Sequence, residues 1–306
     1  MFRAVTIATL LLFFSGCALA GASVAEDAPG SIVSGGISRD YWVHVPVSYD
    51  ATRPTALVLV FHGGGGEARG MARLSGMDDV SDRHGFIAVY PQGINRQWKD
   101  GRTQALSGND DVAFISSLIA ALETRYRIDP NRVYATGISN GAFFSFRLAC
   151  DLGGEIAAIA PVAGSIPVGF HDACKNQPVS VMMINGTDDK LVMFDGGRVG
   201  GPFVDQGDSI PVAQTLADWL KVDGCRAPAN ETTLRDADPL DGTTTLVQAY
   251  GGCRNGAAVQ LYTIEGGGHT WPDGPQYLPK SIIGNVSHDF DASEVIWQFF
   301  ASHPAR

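Results

Sequence analysis

Ala56 to Phe61 is an unbroken apolar run, and Phe86 to Tyr90, Val133 to Ala135, Ile156 to Val162 and Val179 to Ile184 are nearly as apolar. A strand that is apolar on both faces has to be covered on both faces, as the central strands of a parallel sheet are. Helical patterns lie between these runs. Asp110 to Tyr126 places Val112, Ile115, Ile119, Leu122 and Tyr126 on one stripe, with Asn109 available as its cap. Further helices are expected after Ser139, from Pro211 to Val222 and from Ala292 to Ala301. Strands alternating with helices predict an α/β fold: a mostly parallel, doubly wound sheet with helices on both faces. No repeat or low-complexity linker interrupts this pattern, so a single domain is expected over residues 38–303. Arg39 to Val47 carries Tyr41, Val43, Val45 and Val47 on one face and is expected to form an antiparallel edge.

Gly137-Ile138-Ser139-Asn140-Gly141 fits G-x-S-x-G, a weak signal by itself in a chain with 37 glycines. Its setting strengthens it. The run Val133 to Ala135 precedes it and a helical pattern, Ala142 to Leu152, follows, which is the strand-turn-helix context of a nucleophile elbow. A serine hydroxyl is a poor nucleophile near neutral pH and needs a base in hydrogen-bond reach, itself oriented by an acid. Val179 to Ile184 runs into Asn185-Gly186-Thr187-Asp188-Asp189, which puts a carboxylate just past a strand's C-terminal end. Leu261 to Ile264 runs into Gly266-Gly267-Gly268-His269, which puts an imidazole just past another. Of the seven histidines, His62 is the main competitor of His269, but it precedes Ser139 and fits an oxyanion loop better. In Phe61-His62-Gly63-Gly64-Gly65-Gly66, glycines leave backbone N–H groups able to face an oxyanion, with Gly64 preferred, Gly65 as the alternative, and the N–H of Asn140 as the second donor. The Lys-Ser/Thr of a phosphate-binding P-loop does not follow.

Formal net charge is -10 and no basic run is present, which argues against a nucleic-acid partner. Residues 1–25 resemble an export signal, with Arg3 before an apolar stretch from Val5 to Phe14, although the uncharged run to Ala25 is long enough to span a membrane. Two cleavage readings compete. Ala18-Leu19-Ala20 resembles a signal-peptidase site, whereas Phe14-Ser15-Gly16-Cys17 resembles a lipoprotein box that would leave Cys17 as a lipid anchor. A secreted or periplasmic location follows, or a membrane-anchored one if Cys17 is lipidated. Export would let the remaining cysteines pair. Cys150 with Cys174 and Cys225 with Cys253 is preferred among three pairings, because each closes a local loop. No C-x-x-C spacing supports a zinc or redox centre.

Together these residues resemble the secreted esterase family that includes bacterial polyhydroxybutyrate depolymerases and feruloyl esterases, in the α/β-hydrolase superfamily. The resemblance spans Arg39 to Phe300. It is carried by Val60-Phe61-His62-Gly63, Tyr90-Pro91-Gln92-Gly93 with Trp98, Asn109 to Ile115, Tyr126 to Pro130, Gly137 to Gly141 and Glu265 to Pro272. It implies Ser139 as nucleophile and His269 as base. It also chooses Asp189 over Asp188, because the family's H-G-T-x-D-x-x-V run aligns with Asn185 to Val192, where Asn185 replaces the usual His. The family's paired cysteines look similar to the pairing above.

The implied activity is serine carboxylic-ester hydrolysis through an acyl-enzyme, on feruloyl or aryl esters or on hydroxyalkanoate oligomers. No metal or organic cofactor is required. An acyltransferase on the same fold and a non-catalytic binding lipoprotein are the alternatives. Trp98 and Trp271 are candidate pocket walls, since aromatic surfaces suit aryl or alkyl groups. Asp110 and Asp111 are expected to cap and charge the helix they precede. The glycine-rich stretch from Lys190 to Ser209 is long for a connection and is expected to border or cover the pocket.

Overall fold

The apolar runs become the middle of one ten-stranded sheet. The computed structural model describes residues 26–102, 110–170, 178–200, 206–226 and 228–305. The expected export signal, with Cys17, lies outside them, as do Asn109 and Cys174. In chain order the elements are β1 (Glu26–Ser34), β2 (Ile37–Val45), β3 (Thr55–Phe61), α1 (Ala68–Ser75), α2 (Met77–His84), β4 (Ile87–Pro91), α3 (Asp111–Arg125), β5 (Ile128–Ile138) and α4 (Asn140–Asp151). They continue as β6 (Ala158–Val162), β7 (Ser180–Gly186), β8 (Gly197–Arg198), β9 (Asp208–Ser209), α5 (Val212–Asp223), β10 (Asn230–Thr233), β11 (Thr244–Tyr250), β12 (Val259–Glu265), α6 (Lys280–Ile283) and α7 (Ala292–Ser302).

The sheet order is β1-β2-β4-β3-β5-β6-β7-β12-β11-β10. The six strands from β4 to β12 are parallel, and antiparallel strands flank them on both sides. Every residue of β3, β4, β6 and β7 is buried, which is why these strands read as apolar without alternation. One face is covered by α3, α4 and α5, with Phe114, Phe144 and Trp219 in its core. The other is covered by α1, α2 and α7, with Met71, Val80 and Phe300. This is the doubly wound arrangement expected.

Strand order reverses at β3, which lies between β4 and β5, and the loops leaving β3 and β5 part at that point. A crevice at the carboxyl ends of the strands follows from this topology.

The edges depart from expectation. The strand expected at the edge, here β2, is covered by β1, so the sheet starts well before Ser38. Strands β10 and β11 on the far side were not foreseen either. Of the two caps expected for α3, Asp110 takes the role, accepting from Ala113 N–H at 3.0 Å. Asp111 does more than charge the helix: it is buried and accepts from Arg39 at 2.7 Å and from the Lys99 amide at 2.8 Å. The expected bridge between Cys225 and Cys253 is present, and Cys150 is also disulfide-bonded.

Candidate active site

Ser139 stands between the end of β5 and the start of α4 with φ 57° and ψ −121°. A non-glycine residue seldom adopts positive φ, and the turn is held there because its neighbours leave no alternative. The Ser139 amide donates to Val162 O at 3.0 Å on the adjacent strand. A Cβ on Gly137 would sit 2.6 Å from Phe61 O, and one on Gly141 would collide with the same carbonyl. Both flanking glycines are thus required by the close approach of the elbow to the end of β3.

Asp189 and His269 come from the ends of β7 and β12, which pair in parallel. Their loops are knitted together: Thr187 N–H donates to Ile264 O at 3.0 Å and Asp188 N–H to Gly267 O at 2.9 Å. The Gly267 backbone occupies the space a Cβ on Gly186 would need. As a result His269 Nδ1 lies 2.7 Å from Asp189 Oδ2, with both side chains buried. The other oxygen, Oδ1, accepts from the amides of Leu191 at 2.8 Å and Val192 at 2.9 Å, which fixes the carboxylate's plane. Asp188, by contrast, is exposed. The Tyr277 hydroxyl donates to His269 O at 2.8 Å, and burial followed by the nearby Asp189 charge pushes its own ionisation up. Asn185, where the family usually has His, is buried and donates to Gly164 O at 2.8 Å.

Ser139 and His269 open onto one cavity of about 540 Å³, a size suited to a small-molecule ligand. Its walls are mainly apolar: Met71 and Leu74 from α1, Leu191 and Val199 from the loop after Asp189, and Tyr277 and Leu278 from the loop after His269. The described residues of the stretch from Lys190 to Ser209 therefore border the cavity through Leu191, Val199, Gly200 and Gln206.

His62, the competing imidazole, is committed elsewhere. Its Nδ1–H donates to Gly63 O at 2.8 Å, its Nε2 accepts from Gly93 N–H at 3.0 Å, and burial pushes its pKa down. It is a neutral fastener of the glycine loop. Within that loop the Gly65 amide donates to Arg96 O at 2.8 Å. Neither Gly64 nor Asn140 donates its amide to a described residue, and Gly64 lines the cavity.

Trp98 and Trp271 require a correction. Neither borders the cavity. Trp98 stacks on Phe144 at 5.0 Å and donates its indole N–H to His62 O at 3.0 Å; Trp271 is buried under α7 and donates to Ser293 Oγ at 3.1 Å. Both are core residues whose indole nitrogens are satisfied internally. Sequence reasoning missed Met71, Leu74 and Tyr277, whose place at the cavity depends on how α1 and the loop after His269 are packed and leaves no local pattern.

A family model described as Esterase PHB depolymerase matches residues 40–199. The chain belongs to the PHB depolymerase esterase family. It is a carboxylic ester hydrolase with the α/β-hydrolase fold. NocK of Nocardia uniformis subsp. tsuyamanensis, named as an esterase, is 30% identical over 279 residues, spanning 88% of this chain and 80% of that relative. Feruloyl esterase B of Piromyces equi is 28% identical over 247 residues, 77% of this chain and 43% of that longer protein. An acetyl xylan esterase from Aspergillus awamori superposes with a TM-score of 0.57 at 16% identity, covering 79% of this chain and 94% of that one, a likeness of fold.

Proposed function

We propose that this esterase works through an acyl-enzyme on Ser139, with His269 as general base and Asp189 as the acid that orients it. The observation that carries the reading is the buried 2.7 Å contact between His269 Nδ1 and Asp189 Oδ2, beside a cavity that Ser139 also lines. A carboxylate at Nδ1 holds the ring proton there and leaves Nε2 as the basic nitrogen. His269 takes the Ser139 proton as the hydroxyl attacks the ester carbonyl. The amides of Gly64 and Asn140, which have no described acceptor, receive the oxyanion. His269 returns the proton to the departing alcohol, and water then releases the acyl group by the same steps.

The apolar walls support feruloyl or other aryl esters and hydroxyalkanoate oligomers as substrates, in keeping with the feruloyl esterase among the relatives. Export through residues 1–25 fits the Cys225–Cys253 bridge, because disulfides persist in oxidising compartments. No helix among the described residues is long and apolar enough to cross a membrane.

Ser139→Ala is expected to lower ester hydrolysis by at least about a thousandfold, and a fluorophosphonate should label Ser139 in the wild type. Retained hydrolysis or absent labelling would remove the nucleophile assignment. A panel of acetyl, alkyl, feruloyl and hydroxybutyrate esters, assayed with and without an alcohol acceptor, separates the substrate classes and hydrolysis from transfer.

A further inference from the structure

The segment from Arg96 to Arg102 carries no proposed chemical group, yet it touches both proposed oxyanion donors. At one end, Arg96 O accepts the Gly65 amide, the Gln97 side chain lies against Gly64, and the Trp98 indole donates to His62 O. At the other end the segment is gripped by one face of α4. Asn140, Phe143 and Arg147 are spaced i, i+3 and i+7 and so share that face. The Asn140 Oδ1 accepts from Trp98 N–H at 2.7 Å, and its Nδ2 donates to Trp98 O at 3.0 Å and to Asp100 Oδ2 at 2.6 Å. Arg102 packs over the Phe143 ring, and Arg147 donates to Lys99 O at 2.7 Å. Both amide hydrogens and the carbonyl oxygen of the Asn140 side chain are thereby used.

Asp100 is buried, and its charge is met by Arg102, whose Nε lies 2.8 Å away. A buried ion pair adds little stability over an apolar filling of the same space, because desolvation offsets the attraction. What it does supply is direction: a carboxylate fixed by a guanidinium orients the Asn140 amide group. Asn140 also contributes the backbone N–H that begins α4. Its side chain therefore locks the orientation of that N–H to the segment that holds the Gly64 loop.

We propose that the Asn140 side chain, anchored by Trp98 and Asp100, is a positioning element that fixes the separation of the two oxyanion donors. Removing the side chain leaves the Asn140 N–H in place but frees it from the Gly64 loop. The loss then falls on the transition state, where the oxyanion exists, and not on ground-state binding. The proposal rests on the reading of Gly64 and Asn140 as oxyanion donors and of Ser139 as the nucleophile.

Asn140→Ala is expected to lower kcat by about ten- to a hundredfold while KM stays within about threefold. The affinity for a trifluoromethyl ketone, whose adduct on Ser139 bears an oxyanion, should fall by the same factor as kcat/KM. Asp100→Asn keeps the shape and removes the charge, so it should produce a smaller loss of the same kind. The double variant should be no worse than Asn140→Ala, because the two residues act as one unit. If Asn140→Ala does not fold, Asp100→Asn alone carries the test through its kcat and ketone affinity. A kcat within twofold of wild type, a loss confined to KM, or unaltered ketone affinity in the folded variant overturns the proposal. Failure of the nucleophile reading shows separately, as hydrolysis surviving Ser139→Ala.

Discussion

His269 Nδ1 faces Asp189 Oδ2 at 2.7 Å, while Asp188, one residue earlier in the same loop, is exposed. A neighbouring pair of acids is thus split into one that can hold an imidazole and one that cannot. If Asp189 acts by fixing the His269 tautomer, Asp189→Asn keeps the shape but removes the acceptor that holds the proton on Nδ1. A kcat loss of about 10⁴-fold is expected for Asp189→Asn. Asp188→Asn should stay within about threefold, as a surface substitution. Steady-state kinetics on a chromogenic ester compares the two, and equal losses would detach the acid role from Asp189.

The elbow glycines make a different kind of prediction, because their constraint is steric. Gly137→Ala sets a methyl group 2.6 Å from the Phe61 carbonyl oxygen, and since a Cβ is fixed by its own backbone and that oxygen belongs to the main chain, no rotamer change relieves the clash. Either β5 moves away from β3 or the Ser139 turn opens. Overpacking of this sort costs about 1–3 kcal/mol, so a clear drop in Tm is expected together with loss of Ser139 labelling by a fluorophosphonate. An alanine variant with wild-type Tm and labelling would show that the close approach is dispensable.

The central sheet was legible in the sequence because strands covered on both faces have no room for polar residues. The edges were not. In β10 every residue is exposed, and in β1 the glycine at position 30 lies under the Tyr41 ring of β2, so cross-strand packing stands in for apolar character. The elbow and the glycine loops were legible for a similar reason: close backbone approach leaves only glycine, and glycine is visible. Trp98 and Trp271 were misplaced because an indole reads the same whether it faces a ligand or a neighbouring helix. The clamp on Asn140 was invisible, since it joins residues far apart in sequence whose types also occur in ordinary turns.

Leu191 stands on the cavity wall two residues beyond the proposed acid, half-buried rather than locked in the core. Enlarging it should narrow the cavity without disturbing the sheet. For Leu191→Trp, kcat/KM for a feruloyl ester is expected to fall about tenfold relative to an acetyl ester of the same alcohol, a modest ratio typical of apolar pockets. Competition between the two esters in one reaction measures that ratio directly. An unchanged ratio would place the acyl group against the other wall, toward Leu74.

Asp223 ends α5 with its carboxyl wholly buried, and burial raises its pKa from 3.8 to about 7 against the smaller opposing pull of the Val179 amide and of Arg254. Oδ1 receives the Val179 N–H at 3.2 Å, while Oδ2 has no hydrogen-bond partner among the described residues. Between those two values the folded chain holds a proton that the unfolded chain has released. The associated stabilisation is complete at the acid end of this window and is lost as pH rises toward 7, at about 1.4 kcal/mol per pH unit while only one state is protonated. Asp223→Asn cannot titrate and should abolish this slope, even though its amide nitrogen takes over the unpartnered position and lowers stability at every pH. Urea unfolding of both proteins across pH 4 to 8 isolates the effect, because all other groups cancel in the difference. The variant should gain on the wild type as pH rises, and parallel curves would show that Asp223 ionises in the fold as freely as it does in the unfolded chain.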